Sequence, residues 1–346
     1  MFPDFFDRLL SWFHVQKRSL PWRENPEIYA VWISEIMLQQ TQIKTVLPYF
    51  NRFIKRFPDV KILSEADEEE VFSYWAGLGY YTRAANLLKA AKIIVQKKGF
   101  PIDRKGWESL PGVGSYTAGA VCSIALNQCE AILDGNVERV FARIRMIHNA
   151  APRFKKRLWN LSRFLIQKAC YFHFPPSGIN QALMELGALV CTPQNPICET
   201  CPLSFVCKSK KNAKTKFFPG KNTKQWEKTE EILFCMIDAS NSVLLEKKTE
   251  KEWRKGLYDL PAGIPKELSE EKLEFRKEIT TRHIVTNHKI LRKTQVYFYQ
   301  DNFEKKENRL YYLLFNKGKM LYPIGRACVK TLEEVKNQSA DIFFGN

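Results

Sequence analysis

The chain has 346 residues, 45% hydrophobic and 26% charged, a composition that permits one large or two ordinary domains and excludes wholesale disorder. Lysine and arginine number 54 against 37 acidic residues, giving a formal net charge of +17. This surplus favours a polyanionic partner, nucleic acid before anionic lipid, although a basic surface that serves only solubility has the same balance.

The apolar runs along the chain are short. One of them, Ile232–Ile237, is far below the ~20 residues that a membrane-spanning helix needs. The segment Met1–Asp4 carries neither a basic stretch nor a continuous apolar one, so no signal peptide is predicted. We therefore expect a cytoplasmic protein without a membrane partner.

Residues 1–207 are predicted to be mostly α-helical, because apolar residues recur at intervals of three and four and prolines separate the segments. Alternation typical of strands is rare in this part of the chain. The predicted helices are Asp4–Phe13, Ile28–Gln42, Ile43–Phe57, Glu68–Leu78, Thr82–Lys97, Tyr116–Leu126, Val137–Ile147, Lys155–Cys170 and Asn180–Val190.

Residues 208–228 are rich in lysine and poor in aliphatic residues, which predicts an exposed linker. The remaining residues, 229–346, are predicted to form a smaller α+β domain after the helical domain of residues 1–207. Its predicted strands are short and rich in β-branched or aromatic residues: Glu231–Asp238, Ser242–Glu246, Thr294–Gln300 and Arg309–Asn316.

Four cysteines lie close together in the chain. Their spacing is C-x6-C-x2-C-x5-C, and they are Cys191, Cys198, Cys201 and Cys207. Such a loop can wrap one metal centre, and its thiolates suit either a structural zinc ion or an iron–sulfur cluster. The other cysteines are predicted to be packing residues and not disulfides, because no secretory signal precedes them. These are Cys122, Cys129, Cys170, Cys235 and Cys328.

A glycine-rich string, Leu110-Pro111-Gly112-Val113-Gly114, stands just before the predicted helix Tyr116–Leu126. Its two glycines allow a tight turn with close backbone approach, and the amides at the helix start can then face a phosphate. An ordinary turn is the alternative, because a lone G-x-G is a weak signal.

Two carboxylates have positions that suit chemistry. Asp134 lies near the start of the predicted helix Val137–Ile147, where an aspartate commonly caps the helix. A negative charge there can also stabilise the cation that develops at a sugar carbon as a base departs. Glu35 has apolar helix neighbours, and a glutamate on such a helix usually faces water. In a pocket, however, desolvation would raise its pKa and keep it protonated, as a general acid requires.

The cysteine spacing resembles the loop of the endonuclease III superfamily of DNA glycosylases, which implies one [4Fe–4S] cluster. The glycine-rich string resembles the helix–hairpin–helix motif of that superfamily, which grips the DNA backbone through residues such as Gly112 and Gly114. The string around Asp134 resembles its catalytic aspartate. Members that also cut the backbone carry a lysine where this chain has Tyr116, and a phenol cannot form a Schiff base. The resemblance therefore implies a glycosylase without strong lyase activity.

Further strings resemble the adenine DNA glycosylases, which remove adenine opposite 8-oxoguanine; they are Leu20–Arg23, Trp32–Gln42, Gly77–Arg83 and Ala182–Ala188. The resemblance implies that Glu35 protonates adenine at N7 and that Asp134 stabilises the oxocarbenium ion. It also implies that Tyr116 and Asn136 assist at the sugar. The residues that it assigns to the adenine pocket are Trp22, Arg23, Leu38, Gln181 and Met184.

The same resemblance makes Gln40 and Tyr80 wedges that enter the duplex near the 8-oxoguanine. A wedge is needed because adenine inside a duplex is inaccessible and must be flipped out, at a cost of a few kcal/mol. Without the resemblance, Tyr80 and Tyr81 suit core packing equally well.

The string Glu252–Gly263 resembles the strand and loop of Nudix-type folds. The following string, Leu268–Glu278, lacks the Nudix pattern of Mg²⁺-binding glutamates, so pyrophosphate hydrolysis is not expected. The resemblance implies a domain that reads 8-oxoguanine. Where the family tends to carry Phe-Ser-His, this chain has Thr286, Asn287 and His288. Asn287 and His288 can still hydrogen-bond, but Thr286 supplies no aromatic wedge, which implies weaker discrimination or other side chains.

The expected fold is thus a mainly α helix–hairpin–helix glycosylase domain with an iron–sulfur loop, followed by a smaller α+β Nudix-like domain. The expected partner is double-stranded DNA with adenine opposite 8-oxoguanine, bound by a monomer. Two alternatives remain: a monofunctional glycosylase for mismatched thymine or uracil, and a basic DNA-binding scaffold with a decayed active site. The Tyr80 motif and the appended domain argue against the first, and the intact Glu35 and Asp134 against the second.

Overall fold

The computed structural model describes residues 2–220, 226–249, 256–266, 268–285, 287–304, 309–314 and 324–338. The chain divides into two compact units. The first contains residues 1–66 and 82–223, and the second contains residues 67–81 and 224–346. Residues 67–81 therefore group with the C-terminal part of the chain, a grouping that the sequence pattern does not indicate.

The first unit is built of helices, and one further helix, α6, belongs to the second unit. In chain order they are α1 (Phe2–Gln16), α2 (Pro21–Glu24), α3 (Ile28–Leu38), α4 (Ile43–Arg56), α5 (Val60–Glu65), α6 (Glu68–Trp75), α7 (Thr82–Gln96), α8 (Arg104–Glu108), α9 (Ser115–Ile124), α10 (Gly135–Arg145), α11 (Phe154–Tyr171), α12 (Pro176–Leu189) and α13 (Lys208–Lys211). Every predicted helix is present, and the ends differ by a few residues. The short α2, α5 and α8 were not predicted, because so few residues show no periodicity.

Helix α3 is surrounded by protein. It packs against α4, α7 and α9, and all residues from Val31 to Met37 are buried. A helix that is apolar on all sides needs such partners on all sides. Glu35 lies within this stretch, so the fold carries its side chain into the interior and not toward water.

The prediction of an exposed linker over residues 208–228 is wrong in part. Lys208–Lys211 forms α13, in which Ser209 is buried. The Nζ of Lys210 donates a hydrogen bond to the carbonyl oxygen of Cys198 at 3.1 Å. A lysine-rich composition does not show this contact, because the partner lies in the cysteine loop.

The second unit contains a mixed β-sheet. Its strands are β1 (Glu227–Ile237), β2 (Ser242–Lys247), β3 (Tyr258–Asp259), β4 (Leu273–Val285), β5 (His288–Tyr299) and β6 (Arg309–Leu313). The order is β3-β2-β1-β5-β4, with β6 paired to β2; β1 and β5 are parallel, and the other pairs are antiparallel. The predicted α+β character is confirmed.

One helix of the second unit, α14 (Arg326–Asn337), packs on β4. The core between sheet and helix includes Leu245, Val296 and Leu332. Neither α14 nor β4 was predicted. Strand β4 was missed because its apolar residues do not alternate regularly: Phe275 and Ile284 are exposed, whereas Thr281 is buried.

The prediction that the remaining cysteines are only packing residues is wrong for one pair. Cys129 and Cys170 form a disulfide, with their Cα atoms 6.2 Å apart. They are 41 residues apart in sequence, and the fold brings the segment before α10 to the C-terminal end of α11. Cys122, Cys235 and Cys328 are free and buried, as predicted.

Among the described residues, no helix combines the length and the apolar character that crossing a bilayer requires.

Candidate active site

A cavity of about 680 Å³ opens within the first unit between α2, α3, α9, α10 and α12. Residues that are far apart in the sequence meet there. The cavity wall includes every residue of the first unit predicted for catalysis or for the adenine pocket, together with Gln40: Trp22, Arg23, Glu35, Leu38, Gln40, Tyr116, Asp134, Asn136, Gln181 and Met184.

Glu35 reaches the cavity from α3 and is only 4% exposed. Its Oε2 atom has no hydrogen-bond partner among the described residues. Burial raises the pKa of Glu35 to about 7, the Tyr116 hydroxyl and Arg23 oppose this increase, and the Asp134 charge adds to it. Near neutral pH, the residue therefore exists in part as a carboxylic acid that can donate a proton into the cavity.

Asp134 is the N-cap of α10. One oxygen accepts a hydrogen bond from the backbone N–H of Val137 at 2.7 Å, and the other accepts one from Nδ2 of Asn136 at 2.9 Å. Burial raises the pKa of Asp134, while these hydrogen bonds oppose the increase by stabilising the ionised form. The capping role and the predicted chemical role are thus compatible, because the cap fixes the carboxylate at the cavity wall.

Tyr116 is the second residue of α9. Its hydroxyl donates to the sulfur of Met184 at 3.3 Å. Burial, followed by the nearby charges of Glu35 and Asp134, holds the pKa of Tyr116 well above its ordinary value. The side chain is therefore a neutral phenol near both carboxyl groups.

Glu185 in α12 also lines this cavity, although it was not predicted as a site residue. It is fully buried, and its carboxylate accepts hydrogen bonds from Nε of Arg18 at 2.7 Å and from Nη2 of Arg23 at 2.8 Å. Burial alone would raise the pKa of Glu185, but the two arginines outweigh it and lower the pKa to about 2. The only sequence signal was its place in the Ala182–Ala188 string, because Arg18 lies 167 positions away.

The glycine-rich string forms a tight turn before α9. Gly112 has a φ of +76°, and a Cβ there would lie 2.9 Å from the side chain of Asn86. Gly114 is the N-cap of α9 and has open space around it. The amides of the first turn of α9 therefore remain accessible, and such amides are favourable phosphate ligands.

Gln40 follows the end of α3 in a left-handed conformation, with a φ of 59°. The buried guanidinium of Arg83 holds this turn. Its Nη1 donates to the carbonyl oxygens of Met37 at 2.8 Å and Gln39 at 2.6 Å, and its Nη2 donates to Thr41 Oγ1 at 3.3 Å. Helix α3 ends at Leu38 and not at the predicted Gln42 because the chain turns here.

Tyr80 belongs to the second unit. Its backbone is left-handed with a φ of 50°, directly after Gly79 with a φ of 78°, and its side chain is 44% exposed. A strained, exposed aromatic residue is consistent with a wedge. Tyr81 instead is buried and packs edge-on against Phe72, as the core-packing alternative expects.

The four cysteines of the C-x6-C-x2-C-x5-C loop line one small cavity with Arg143 and Lys210. Arg143 is buried, and its Nη1 donates to Cys191 Sγ at 3.3 Å and to the carbonyl oxygen of Thr192 at 2.7 Å. Four sulfur donors near two cations suit a group that carries thiolate ligands. The arrangement thus fits an iron–sulfur cluster.

Comparisons with known proteins agree with this geometry. Residues 33–163 match the family model described as HhH-GPD superfamily base excision DNA repair protein, and residues 191–207 match the iron–sulfur binding domain of endonuclease III. An adenine DNA glycosylase from Buchnera aphidicola of Schizaphis graminum is 38% identical over 262 residues, covering 74% of this chain and 74% of the relative. The chain belongs to the adenine DNA glycosylase family.

The chain is also similar to a mammalian relative and to a solved glycosylase structure. The human adenine DNA glycosylase is 43% identical over 215 residues, which cover 58% of this chain and 38% of the human protein. A solved structure of a thermostable thymine-DNA glycosylase aligns with a TM-score of 0.52 and 26% identity, covering 61% of this chain and 97% of that chain.

In this adenine glycosylase family member, side chains link the cysteine loop to Asp134. Arg139 donates from Nε to the carbonyl oxygen of Cys191 at 2.7 Å and from Nη2 to Asn136 Oδ1 at 2.8 Å. Asn136 in turn donates to Asp134. No sequence motif marks Arg139 or Arg143 for this role, because their acceptors are mostly backbone carbonyls of distant residues.

In the second unit, His288 begins β5 and its Nδ1 lies 3.3 Å from Oε2 of Glu227. Asn287 Nδ2 donates to Oε1 of the same glutamate at 3.4 Å. Thr286 and the string Glu252–Lys255 lie outside the described residues. Asn287 directly precedes β5, and both predicted recognition residues thus lie beside Glu227 of β1. Their role remains a prediction.

Proposed function

We propose that this enzyme hydrolyses the N-glycosidic bond of adenine mispaired with 8-oxoguanine or guanine in double-stranded DNA. The observation that carries the proposal is the pair of carboxyl groups in one cavity, Glu35 with a pKa near 7 and Asp134 held as a hydrogen-bonded cap. Two carboxyl groups in unlike surroundings divide the work of glycosidic cleavage in this way.

Glu35 acts first in this mechanism. Its Oε2, which has no hydrogen-bond partner in the described part of the chain, provides the position from which a proton is donated to N7 of a flipped adenine. Protonation makes the base a better leaving group: the bond between C1′ and N9 breaks, and its electron pair leaves with the adenine. Arg23 and Met184 contribute to the walls around that base.

Asp134 then stabilises the positive charge that develops at the sugar. Asn136 holds one of its oxygens at 2.9 Å, and the neutral Tyr116 stands beside both carboxyl groups. Water adds to C1′ and releases one proton to solvent, which leaves a neutral hydroxyl at C1′ and completes the hydrolysis. Because position 116 offers no amine, no Schiff base forms, and the product is an abasic site in an intact strand.

DNA binding uses the hairpin and the wedges. The amides after Gly114 bind a backbone phosphate without reading sequence, which positions the duplex. Gln40 and Tyr80 fill the stack that the flipped adenine leaves and offset part of the unstacking cost, which is a few kcal/mol. Asn287 and His288 contact the 8-oxoguanine. We propose a monomeric enzyme of the cytoplasm, associated with the nucleoid if bacterial.

Cys191, Cys198, Cys201 and Cys207 would hold one [4Fe–4S] cluster. When bound, the cluster fixes the shape of the cysteine loop and takes no part in bond cleavage. Arg139 and Arg143 join this loop to α10, so an ordered loop helps to keep Asp134 in place.

A substrate panel under single-turnover conditions tests the proposal. Duplexes that differ only in one pair, with adenine opposite 8-oxoguanine, guanine or cytosine, should release adenine fastest opposite 8-oxoguanine and slowest opposite cytosine. Duplexes with mismatched thymine or uracil test the alternative that the thymine-DNA glycosylase likeness raises. Release of thymine or uracil without adenine would overturn the proposal, and lesion binding without any release would favour a scaffold.

A further inference from the structure

Arg104, the first residue of α8, lies at the junction of several segments. Its Nη2 donates to the carbonyl oxygen of Ser115 at 2.7 Å, and its Nη1 donates to the carbonyl oxygen of Ala131 at 3.3 Å and to the carboxylate of Glu130. Its Nε donates to Glu108 at 3.1 Å within α8. All of its donor nitrogens thus have acceptors.

Two of these acceptors adjoin the candidate active site. Ser115 directly precedes Tyr116 and directly follows Gly114, the N-cap of α9. Ala131 lies three positions before Asp134 in the extended segment that enters α10. One guanidinium group therefore connects the start of the DNA-binding hairpin helix to the segment that carries the catalytic aspartate.

The close approach of these segments depends on Gly119 of α9. A Cβ at this position would lie 2.5 Å from the carbonyl oxygen of Ala131 and 3.3 Å from the guanidinium nitrogens of Arg104. Any larger residue would push the segment and the arginine away from the helix. Gly119 thus leaves the space in which the Arg104 side chain reaches both the start of α9 and the segment that contains Ala131.

The neighbouring charges reinforce the arrangement. Ser115 Oγ donates to Glu108 at 2.8 Å, and this hydrogen bond together with Arg104 keeps the pKa of Glu108 below its ordinary value. Two carboxylates, Glu108 and Glu130, therefore flank the hairpin, and Arg104 pairs with both. The Arg104 side chain itself is 19% exposed, so it is not part of the sealed core.

We propose that Arg104 is a positioning residue, which fixes the start of α9 relative to the Glu130–Ala131 segment and thereby aligns Tyr116 with Asp134. The inference rests on the proposed function, because the alignment matters only for a reaction at both side chains. Small displacements of reacting groups reduce rates severely, by up to ~100-fold per ångström. Arg104 touches no substrate in this scheme.

The test compares Arg104→Met with Arg157→Met, which changes an exposed arginine on α11. We expect Arg104→Met to lower the single-turnover rate of adenine release about 10-fold at saturating enzyme, with duplex affinity changed less than about 3-fold. Arg157→Met should retain the wild-type rate. Equal rates for the two variants and the wild type would overturn the proposal.

The pH–rate profile separates positioning from a general loss of stability. Glu35 faces Arg23 of α2, Tyr116 of α9 and Asp134 at the start of α10, and all three influence its pKa. A displaced Tyr116 or Asp134 should move the alkaline limb of the profile in Arg104→Met. A lower rate with an unmoved limb and a lower melting temperature would mean a merely structural role and would contradict the proposal.

Two further measurements complete the test. Arg104→Met combined with Glu108→Gln and Glu130→Gln removes the two carboxylate charges that the single variant leaves without their arginine. We expect no recovery of the rate of adenine release. Full recovery would show that charge repulsion, and not loss of positioning, slows Arg104→Met. Amide hydrogen exchange needs no activity: in Arg104→Met it should accelerate at Ala118 and Glu138, whose amides donate to the carbonyl oxygens of Gly114 and Asp134, and it should stay unchanged in α3. Unchanged exchange would overturn the positioning role, whereas a wild-type enzyme that releases no adenine would overturn only the proposed function.

Discussion

Two glutamates in the wall of one cavity have pKa values shifted in opposite directions. Glu35 and Glu185 are both buried in its wall. Glu35 has one oxygen without a partner among the described residues, and its pKa is raised to about 7; Glu185 is paired with Arg18 and Arg23, and its pKa is lowered to about 2. Partners decide what burial does to a carboxyl group, and here they separate a carboxyl group that is partly protonated near neutral pH from a fixed anion.

The comparison of the two glutamates predicts that Glu35, and not Glu185, supplies a proton to the base. Glu35→Gln should reduce the single-turnover rate of adenine release about 1000-fold, because the amide is similar in shape but is not an acid. Glu65→Gln, on the exposed surface of α5, serves as the control and should keep the wild-type rate. Duplex affinity should change little in either variant. A fully active Glu35→Gln enzyme would contradict the assignment of Glu35 as the proton donor.

Asp134→Asn tests the third carboxyl group of the cavity. We expect the rate to fall about 100-fold, because the negative charge opposite the sugar cation is lost. Asparagine caps helices about as well as aspartate, so α10 should persist and the melting temperature should stay close to that of the wild type. If the rate loss accompanied unfolding of α10 in circular dichroism, the electrostatic role would lose its support.

The pH dependence sharpens the comparison further. Glu35 must be protonated, so the single-turnover rate should decline about 10-fold per pH unit above its pKa of about 7. On the acid side the rate should fall as Asp134 takes up a proton, at a pH above the ordinary value for aspartate. Glu185 stays ionised throughout this range. A rate that is constant from pH 6 to about 9 would contradict a Glu35 proton donor.

The two glutamates should also affect stability with opposite signs. The folded pKa of Glu35 exceeds the unfolded value of ~4.3, so its contribution is present at low pH and is lost as the pH rises through 7. Glu185, with a lowered folded pKa, contributes at neutral pH and loses this contribution as the pH falls toward 2.

Urea unfolding measures this difference. At pH 8, Glu35→Gln should raise the free energy of unfolding by about 2 kcal/mol, and Glu185→Gln should lower it by about 2 kcal/mol after allowance for the partly exposed Arg18. Shifts of the same sign in both variants would show that the two environments do not differ as described.

The sequence predicted the elements whose signals are local. Apolar periodicity located the long helices, and contiguous motifs located Glu35, Asp134, Tyr116 and the four cysteines. The assignment of Glu35 to a pocket did not follow from periodicity, which favours a water-facing side chain. It followed from the family resemblance. The physical cause of the burial of Glu35 is that other helices enclose α3.

What the sequence missed are partnerships across long separations. Glu185 meets Arg18 and Arg23, Arg83 holds the turn after α3, and Cys129 bonds to Cys170. None of these pairs follows from spacing, because each depends on how helices pack. Strand β4 was missed for a different reason: apolar Phe275 and Ile284 are exposed and polar Thr281 is buried, so its sequence lacks the alternation of a strand.

The most direct measurement of the central claim is the titration of the carboxyl carbons by NMR in enzyme with ¹³C-labelled glutamate, with Glu35→Gln and Glu185→Gln assigning the signals. The Glu35 signal should titrate near pH 7, while the Glu185 signal should remain that of an ionised carboxylate down to about pH 3. A Glu35 signal that titrates at the ordinary glutamate value of ~4.3 would contradict the account, because no proton donor would then face the cavity at neutral pH.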